Sequence, residues 1–198
     1  MKMNLPNKLT MLRVFMIPFF VFFMIISLHG ENAAILREAG ESRFMTYRII
    51  ACIIFCAASF TDFLDGHIAR SRGLVTDFGK FMDPLADKLL VCSALILLTA
   101  EGSLSGAVVI VIIAREFIIS GFRLVAADNG IVIAASWWGK FKTVSQMLLC
   151  IILILPTMPL MLGSTVVSIV TIAALLLTVI SLIDYMKKNI RVITDGGM

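Results

Sequence analysis

TDFLDGHIARSRGLVTDFGKFMDPLADK, residues 61–88, sets five aspartates among glycines and basic side chains. On either side the chain turns strongly apolar: 60% of its 198 residues are hydrophobic and only 15% are charged. Carboxylates in such surroundings are costly unless something completes them. How these residues are held decides both the fold and the chemistry.

An α-helix turns about 100° per residue. Counted from Asp62, Asp65, Gly66 and Ala69 return to within about 60° of one face, with Arg70 at its edge and His67 on the far side. Counted from Asp83, Gly79 and Asp87 return to within about 40°. Two neighbouring helices joined by a short connector can therefore direct Asp62, Asp65, Asp83 and Asp87 towards one another. Four such charges in a low-dielectric setting repel and resist ionising. Divalent cations resolve this, and an all-oxygen donor set with no competing thiol or imidazole cluster suits Mg²⁺ or Mn²⁺. Two ions about 4 Å apart balance the four charges and can clamp a phosphate or diphosphate. Gly66, Ala69 and Gly79 leave a helix surface bare enough for close approach. Singly, each residue has a plainer reading. An intramembrane aspartate also serves as a partner to Arg or Lys or as a transport relay, and Gly66 or Ala69 also serves helix packing. For the whole set, chance is a poor account.

A mean hydropathy of +1.01 leaves too few polar residues to cover a soluble domain, so the expected class is an all-α membrane protein. A hydrocarbon core of about 30 Å takes roughly 20 helical residues. Six runs qualify, near 9–28, 44–66, 80–100, 105–127, 141–161 and 164–186, and short connectors suit one bundle, a single domain over 1–198. The opening MKMNLPNKLTMLR mixes Leu5, Leu9 and Leu12 with Lys2, Lys8 and Arg13, the pattern of a short interfacial segment. The first run has no small-residue cleavage site and carries Pro18 in its middle. It therefore reads as a retained helix, kinked or locally opened at Pro18, rather than as a signal peptide. Pro156, Pro159 and Gly163 mark the turn between the last two helices.

Six spans put both termini on one side, together with the connectors around 70–80 and 128–140. That side carries 14 of the 17 Lys and Arg residues, and the other holds Arg37, Arg43 and Arg48. Both termini and the aspartates are expected to face the cytoplasm. The net charge of +4 fits an anionic membrane surface or anionic substrates and gives no sign of nucleic-acid binding. Cys52, Cys56, Cys92 and Cys150 lie in apolar runs at spacings that match neither a redox nor a zinc pair, and read as packing residues.

The aspartate stretch reads D-x2-D-G-x2-A-R-x8-G-x3-D-x3-D, eight fixed positions over 26 residues from Asp62 to Asp87. In this it resembles the CDP-alcohol phosphatidyltransferases, with no departure from their signature. The resemblance implies a six-helix membrane enzyme, usually a homodimer, with its site at the cytoplasmic edge. It implies that Asp62, Asp65 and Asp83 hold the metal ions, and that Asp87 also lies by the metals and acts as general base. Asp62, Gly66, Ala69, Arg70 and Gly79 are then expected in the CDP pocket. Members of this family transfer a phosphatidyl group from CDP-diacylglycerol to an alcohol and release CMP. Charge growing on the leaving phosphate needs neutralising, and the acceptor hydroxyl needs a base close by. In-line attack is the expected course.

An anionic acceptor also needs a cationic pocket. REFIISGFRLVAADNG sets Arg115 and Arg123 eight residues apart on the fourth run, and WWGKFKTVSQ brings Lys140 and Lys142 to the start of the fifth. Arg suits forked phosphate recognition and Lys a point contact, so the four favour a phosphate-bearing acceptor. Each also has a structural alternative. Lys140 and Lys142 can serve as positive-inside anchors, Arg115 can pair with Glu116, and Arg123 can snorkel to headgroups. NLPNKLTMLRVFMIPFF, REFIISGFRLVAADNGIVIAAS and GKFKTVSQM further resemble the bacterial branch of the family whose acceptor is glycerol 3-phosphate. By that resemblance the membrane is a bacterial inner membrane, and Thr10 and Arg13 help position CDP-diacylglycerol.

One rival keeps the family and changes the acceptor, for example to phosphatidylglycerol. Another is a divalent-cation transporter using the same carboxylates. A transporter calls for a polar path across the membrane, often between repeated halves, whereas here the outer helix halves are nearly all apolar and no repeat is seen. Trp137 and Trp138 read as interfacial anchors rather than a cytosine stack. Neither His67 nor His29 is assigned to catalysis.

Overall fold

The computed structural model describes residues 4–28, 42–71, 77–128, 136–155 and 157–194. Within its helices the side chains at 5–6, 42–43, 62–71, 77–81, 83–84, 127–128 and 190–194 lie outside the description. The described residues form six helices and no strand: α1 (Leu5–Leu28), α2 (Ser42–Ser71), α3 (Asp77–Ala100), α4 (Gly106–Asp128), α5 (Trp137–Ile154) and α6 (Thr157–Thr194). The fold is an all-α membrane bundle, as composition and run lengths predict.

Helix α1 shows how the bundle meets its surroundings. Its buried positions, Asn7, Thr10, Arg13, Ile17, Phe20, Met24 and Ser27, recur every three or four residues and trace one stripe. Met11, Phe15, Phe19 and Phe22 on the opposite side are exposed. Polar side chains inside and large apolar ones outside suit lipid rather than water. The helix begins at Leu5 and runs through Pro18. Residues 5–13, expected as a separate interfacial segment, are therefore the first turns of the same helix; residues 1–3 lie outside the described residues.

The stripe of α1 packs on α2 and α3. Phe20 meets Phe55 with ring centroids 5.7 Å apart, and Phe23 meets Tyr47 at 6.3 Å. Leu90, Leu95 and Leu98 of α3, Ile112 of α4, and Leu149 and Leu153 of α5 complete the core. The four cysteines are free: Cys52 and Cys150 are buried as packing residues, whereas Cys92 is half-buried and Cys56 exposed.

Among the described residues, three helical stretches, Asn7–Leu28, Phe44–Thr61 and Thr157–Asn189, are long and apolar enough to cross a membrane by length and composition alone. Helix α4 is just as apolar at its start but carries Arg115, Glu116 and Arg123 along its length. The charges that interrupt such helices belong to the site described below.

Two backbone devices fix the helix ends that matter. Helix α3 closes with Gly102 at φ 81°, while Gly102 N–H donates to Thr99 C=O at 2.9 Å and Ser103 N–H to Leu98 C=O at 3.0 Å. This is a Schellman closure, and it leaves Glu101 as the last residue before the left-handed glycine. Helix α5 ends at Leu155, extended at φ −88° and ψ 106°, as the residue before Pro156 tends to be. A helical turn from Thr157 then leads to Gly163, at φ 78° and ψ 155°, before the main body of α6. Pro159 sits within that first turn, where its missing N–H costs nothing. The predicted turn is thus a helical step with one glycine break.

Candidate active site

The eight signature positions fall on two helices joined by residues 72–76: Asp62, Asp65, Gly66, Ala69 and Arg70 on α2, and Gly79, Asp83 and Asp87 on α3. At the opposite ends of these helices Arg48 Nη2 donates to both oxygens of Glu101, at 2.7 and 2.8 Å. Fourteen residues along α2 from Arg48 lies Asp62, and fourteen residues back from Glu101 lies Asp87. Two antiparallel helices in that register bring Asp62 level with Asp87, and Asp65 level with Asp83–Pro84, to within about one turn. The Phe20–Phe55 contact sets the register of α1 in the same way and brings Thr10 and Arg13 level with the Asp62–Asp65 turn of α2. Both are buried on the inner face of α1.

Of the expected metal ligands, Asp87 is described and half-buried; Asp62, Asp65 and Asp83 have side chains outside the described residues, as do Gly66, Ala69, Arg70 and Gly79 of the expected CDP pocket. Among the described residues no group of three His, Cys, Asp or Glu is placed to hold a metal.

Beside Asp87 the chain builds a cationic cluster. Glu116 Oε1 accepts from Arg115 Nη1 at 3.0 Å and from Lys142 Nζ at 2.5 Å. Arg115 Nη2 also donates to Ser181 Oγ of α6 at 2.5 Å. Lys88, the residue after Asp87, donates to the Ser120 hydroxyl, which itself donates to the Glu116 carbonyl at 2.5 Å. Asp87 lies within electrostatic reach of Lys88 and Lys142, and Arg123 within reach of Lys88. Among the described residues, Arg115, Lys142 and Lys88 thus lie around two carboxylates, Asp87 and Glu116. Arg115 and Lys142 are almost wholly enclosed, at 8% and 4% side-chain exposure, where unbalanced charge is costly. Two enclosed cations that share one carboxylate, Glu116, are a setting for an anionic ligand.

The four cations expected at an acceptor phosphate do not all sit alike. Arg115 and Lys142 converge on Glu116, so the pairing open to Arg115 in the sequence is present. Arg123 and Lys140 are exposed. The Arg123 guanidinium lies over the Tyr185 ring at 5.8 Å, and Lys140 Nζ lies 4.5 Å from the Trp137 ring centroid. Trp137 and Trp138 are exposed at the start of α5, which Ser136 caps by accepting from Gly139 N–H at 3.2 Å.

Lys88, Ser120, Ser181 and Tyr185 escaped the sequence reading. The clue for the last two was available. Thr178, Ser181 and Tyr185 are polar residues at helical spacing in an otherwise apolar helix, and such residues rarely face lipid. All three are buried, with Ala174, as the inner stripe of α6.

A family profile described as CDP-alcohol phosphatidyltransferase matches residues 3–184. The chain is 41% identical over 187 residues to the CDP-diacylglycerol–glycerol-3-phosphate 3-phosphatidyltransferase of Bacillus subtilis, covering 94% of this chain and 95% of that one. It is 39% identical over 196 residues to a probable phosphatidylglycerophosphate synthase of Mycobacterium tuberculosis, covering 98% and 85%. A protein of Haemophilus influenzae with the same name as the Bacillus one is 41% identical over 152 residues, covering 75% and 74%.

Proposed function

The chain belongs to the CDP-alcohol phosphatidyltransferase family, and we propose that it transfers the phosphatidyl group of CDP-diacylglycerol to sn-glycerol 3-phosphate, giving phosphatidylglycerophosphate and CMP. The observation that carries this reading is the buried cluster of Arg115, Lys142 and Glu116 beside Asp87. A neutral acceptor has no use for the enclosed cations there, whereas a phosphomonoester pairs with them. The names of the relatives point to the same acceptor.

The family works with divalent metal ions. The donor set of this chain fits them: four carboxylates on two adjacent helices, with Asp62 level with Asp87 and Asp65 level with Asp83. Asp62, Asp65, Asp83 and Asp87 would hold two ions, Mg²⁺ or Mn²⁺, which would supply charge neutralisation for the diphosphate. Gly66, Ala69 and Gly79 leave room for the nucleotide, with Asp62 and Arg70 beside it. Thr10 and Arg13, level with the same turn of α2, position CDP-diacylglycerol. Arg115 and Lys142 take the phosphate of glycerol 3-phosphate, and Arg123 and Lys140 stand at the rim. Asp87 accepts the proton of the acceptor hydroxyl as its oxygen attacks the phosphatidyl phosphorus in line with the departing CMP oxygen.

One domain over 1–198 carries all of this, in a bacterial inner membrane, with both termini and the site on the cytoplasmic side where the basic residues gather. The assembly expected is a homodimer.

CMP release by the purified protein in detergent, with CDP-diacylglycerol and Mg²⁺, tests the reading. Release with glycerol 3-phosphate and not with inositol, serine or phosphatidylglycerol, lost in Asp87→Asn, supports it. Release with another acceptor keeps the family and overturns the pocket assignment. No release with any of them, from folded protein, favours cation transport.

A further inference from the structure

We propose that the last helix completes the acceptor site: Ser181 is a positioning residue that sets Arg115 against the acceptor phosphate, and Tyr185 offers that phosphate its buried hydroxyl. This rests on the reading of Arg115 and its neighbours as the glycerol 3-phosphate pocket. Three observations carry it, and none involves the signature helices.

The buried stripe of α6 runs Ala174, Thr178, Ser181, Tyr185 and grows polar towards the cation cluster. Thr178 is consumed by α5, accepting from Gln146 Nε2 at 3.0 Å. Ser181 instead reaches α4 and fixes one terminal nitrogen of Arg115, while Glu116 fixes the other. A guanidinium held at both terminal nitrogens has its plane set before any ligand arrives, which is what forked recognition of phosphate requires. Gly139, at the start of α5, closes the third side: a Cβ there comes 3.9 Å from both Arg115 Nη2 and Ser181 Oγ.

One turn on, Tyr185 is locked edge-on against Phe122, with centroids 5.8 Å apart, and lies under the Arg123 guanidinium. Its hydroxyl is buried, and so is Arg115 Nε. Neither has a hydrogen-bond partner among the described residues. Buried polar atoms are nearly always bonded, and exceptions gather where a ligand or water belongs. An oxygen-rich anion between α4 and α6 supplies acceptors for both.

Steady-state kinetics on wild type, Ser181→Ala, Ser181→Thr and Tyr185→Phe test this, with glycerol 3-phosphate and CDP-diacylglycerol varied separately. Loss of a hydrogen bond to a charged group predicts that S181A raises KM for glycerol 3-phosphate about tenfold, with KM for CDP-diacylglycerol unmoved. S181T, which keeps the hydroxyl, recovers most of that loss. Y185F raises the same KM several-fold. A purely structural role predicts instead a fall in kcat with both KM values moving together, or no change at all, and either result overturns the proposal. Should S181A fail to hold its fold by thermal melting, Y185F, which removes only a hydroxyl, decides by the same criterion. A wild type that releases no CMP with glycerol 3-phosphate overturns the functional reading, and this proposal with it. A wild type that turns over while the variants match it overturns the α6 proposal alone.

Discussion

Arg48 and Glu101 form a buried ion pair at the end of the bundle opposite the signature aspartates, with side chains only 1% and 2% exposed. Arg48 also donates to the Leu153 carbonyl of α5 at 3.2 Å and to Met24 Sδ of α1 at 3.3 Å. One guanidinium thus ties α1, α2, α5 and the closing turn of α3. It also fixes the α2–α3 register on which the level placement of Asp62 and Asp87 depends.

Removing one member of such a pair leaves a buried charge with no counterpart, which costs about 3–5 kcal/mol, whereas replacing both with apolar residues is often close to neutral. Arg48→Met is expected to lower the melting temperature in detergent sharply, and Arg48→Met with Glu101→Leu to regain most of it. Circular dichroism melts on the two singles and the double close the cycle. If the double melts no higher than the singles, the pair's role is not electrostatic.

The cations of the proposed acceptor site should separate by burial. Truncating a buried, hydrogen-bonded charge costs about 2–5 kcal/mol, and an exposed one about 0–1 kcal/mol. Arg115→Ala and Lys142→Ala are therefore expected to lower kcat/KM for glycerol 3-phosphate by about 30-fold or more. Arg123→Ala and Lys140→Ala should lower it by less than about fivefold. Four variants assayed at one ionic strength test the ranking, and equal losses at all four contradict it.

Much of this was legible in the sequence for physical reasons. Six apolar runs become six helices because hydrocarbon leaves a spanning segment little choice but to satisfy its own backbone. The spacing is readable because helical period sets Asp62 with Asp65 on one face and Asp83 with Asp87 on another; of these side chains only that of Asp87 is among the described residues. Pairings between distant residues were not readable: nothing in the chain says that Arg48 finds Glu101, or that Ser181 finds Arg115 sixty-six residues away. The short interfacial segment was misread because amphipathic spacing at a helix start looks the same whether its polar side meets headgroups or packs inward. Here it packs inward, as buried Asn7, Thr10 and Arg13 show.

Two glycines make opposite predictions for one substitution. Gly163 has φ 78° and ψ 155°, a conformation that side chains resist, with nothing within 4 Å of an added Cβ. Gly163→Ala is expected to cost about 1–3 kcal/mol through backbone strain alone. Gly121 lies inside α4, also with open space around a Cβ. There the methyl only reduces the freedom of the unfolded chain, and Gly121→Ala is expected to stabilise by about 0.5–1 kcal/mol. Thermal melts should move in opposite directions.

Metal dependence gives the sharpest test of the signature aspartates. Carboxylates that share ions bind them jointly, so losing one charge weakens the site without changing the fold around it. Chelator-treated protein is expected to release no CMP, and Mg²⁺ or Mn²⁺ to restore release. Asp83→Asn should shift the Mg²⁺ concentration for half-maximal release upwards by about tenfold or more, since one lost ligand charge costs on the order of 1.4 kcal/mol or above. Lys140→Ala, at the exposed rim, should leave that midpoint in place. A midpoint unchanged in Asp83→Asn, with activity merely scaled down, assigns Asp83 to the nucleotide instead of the metal.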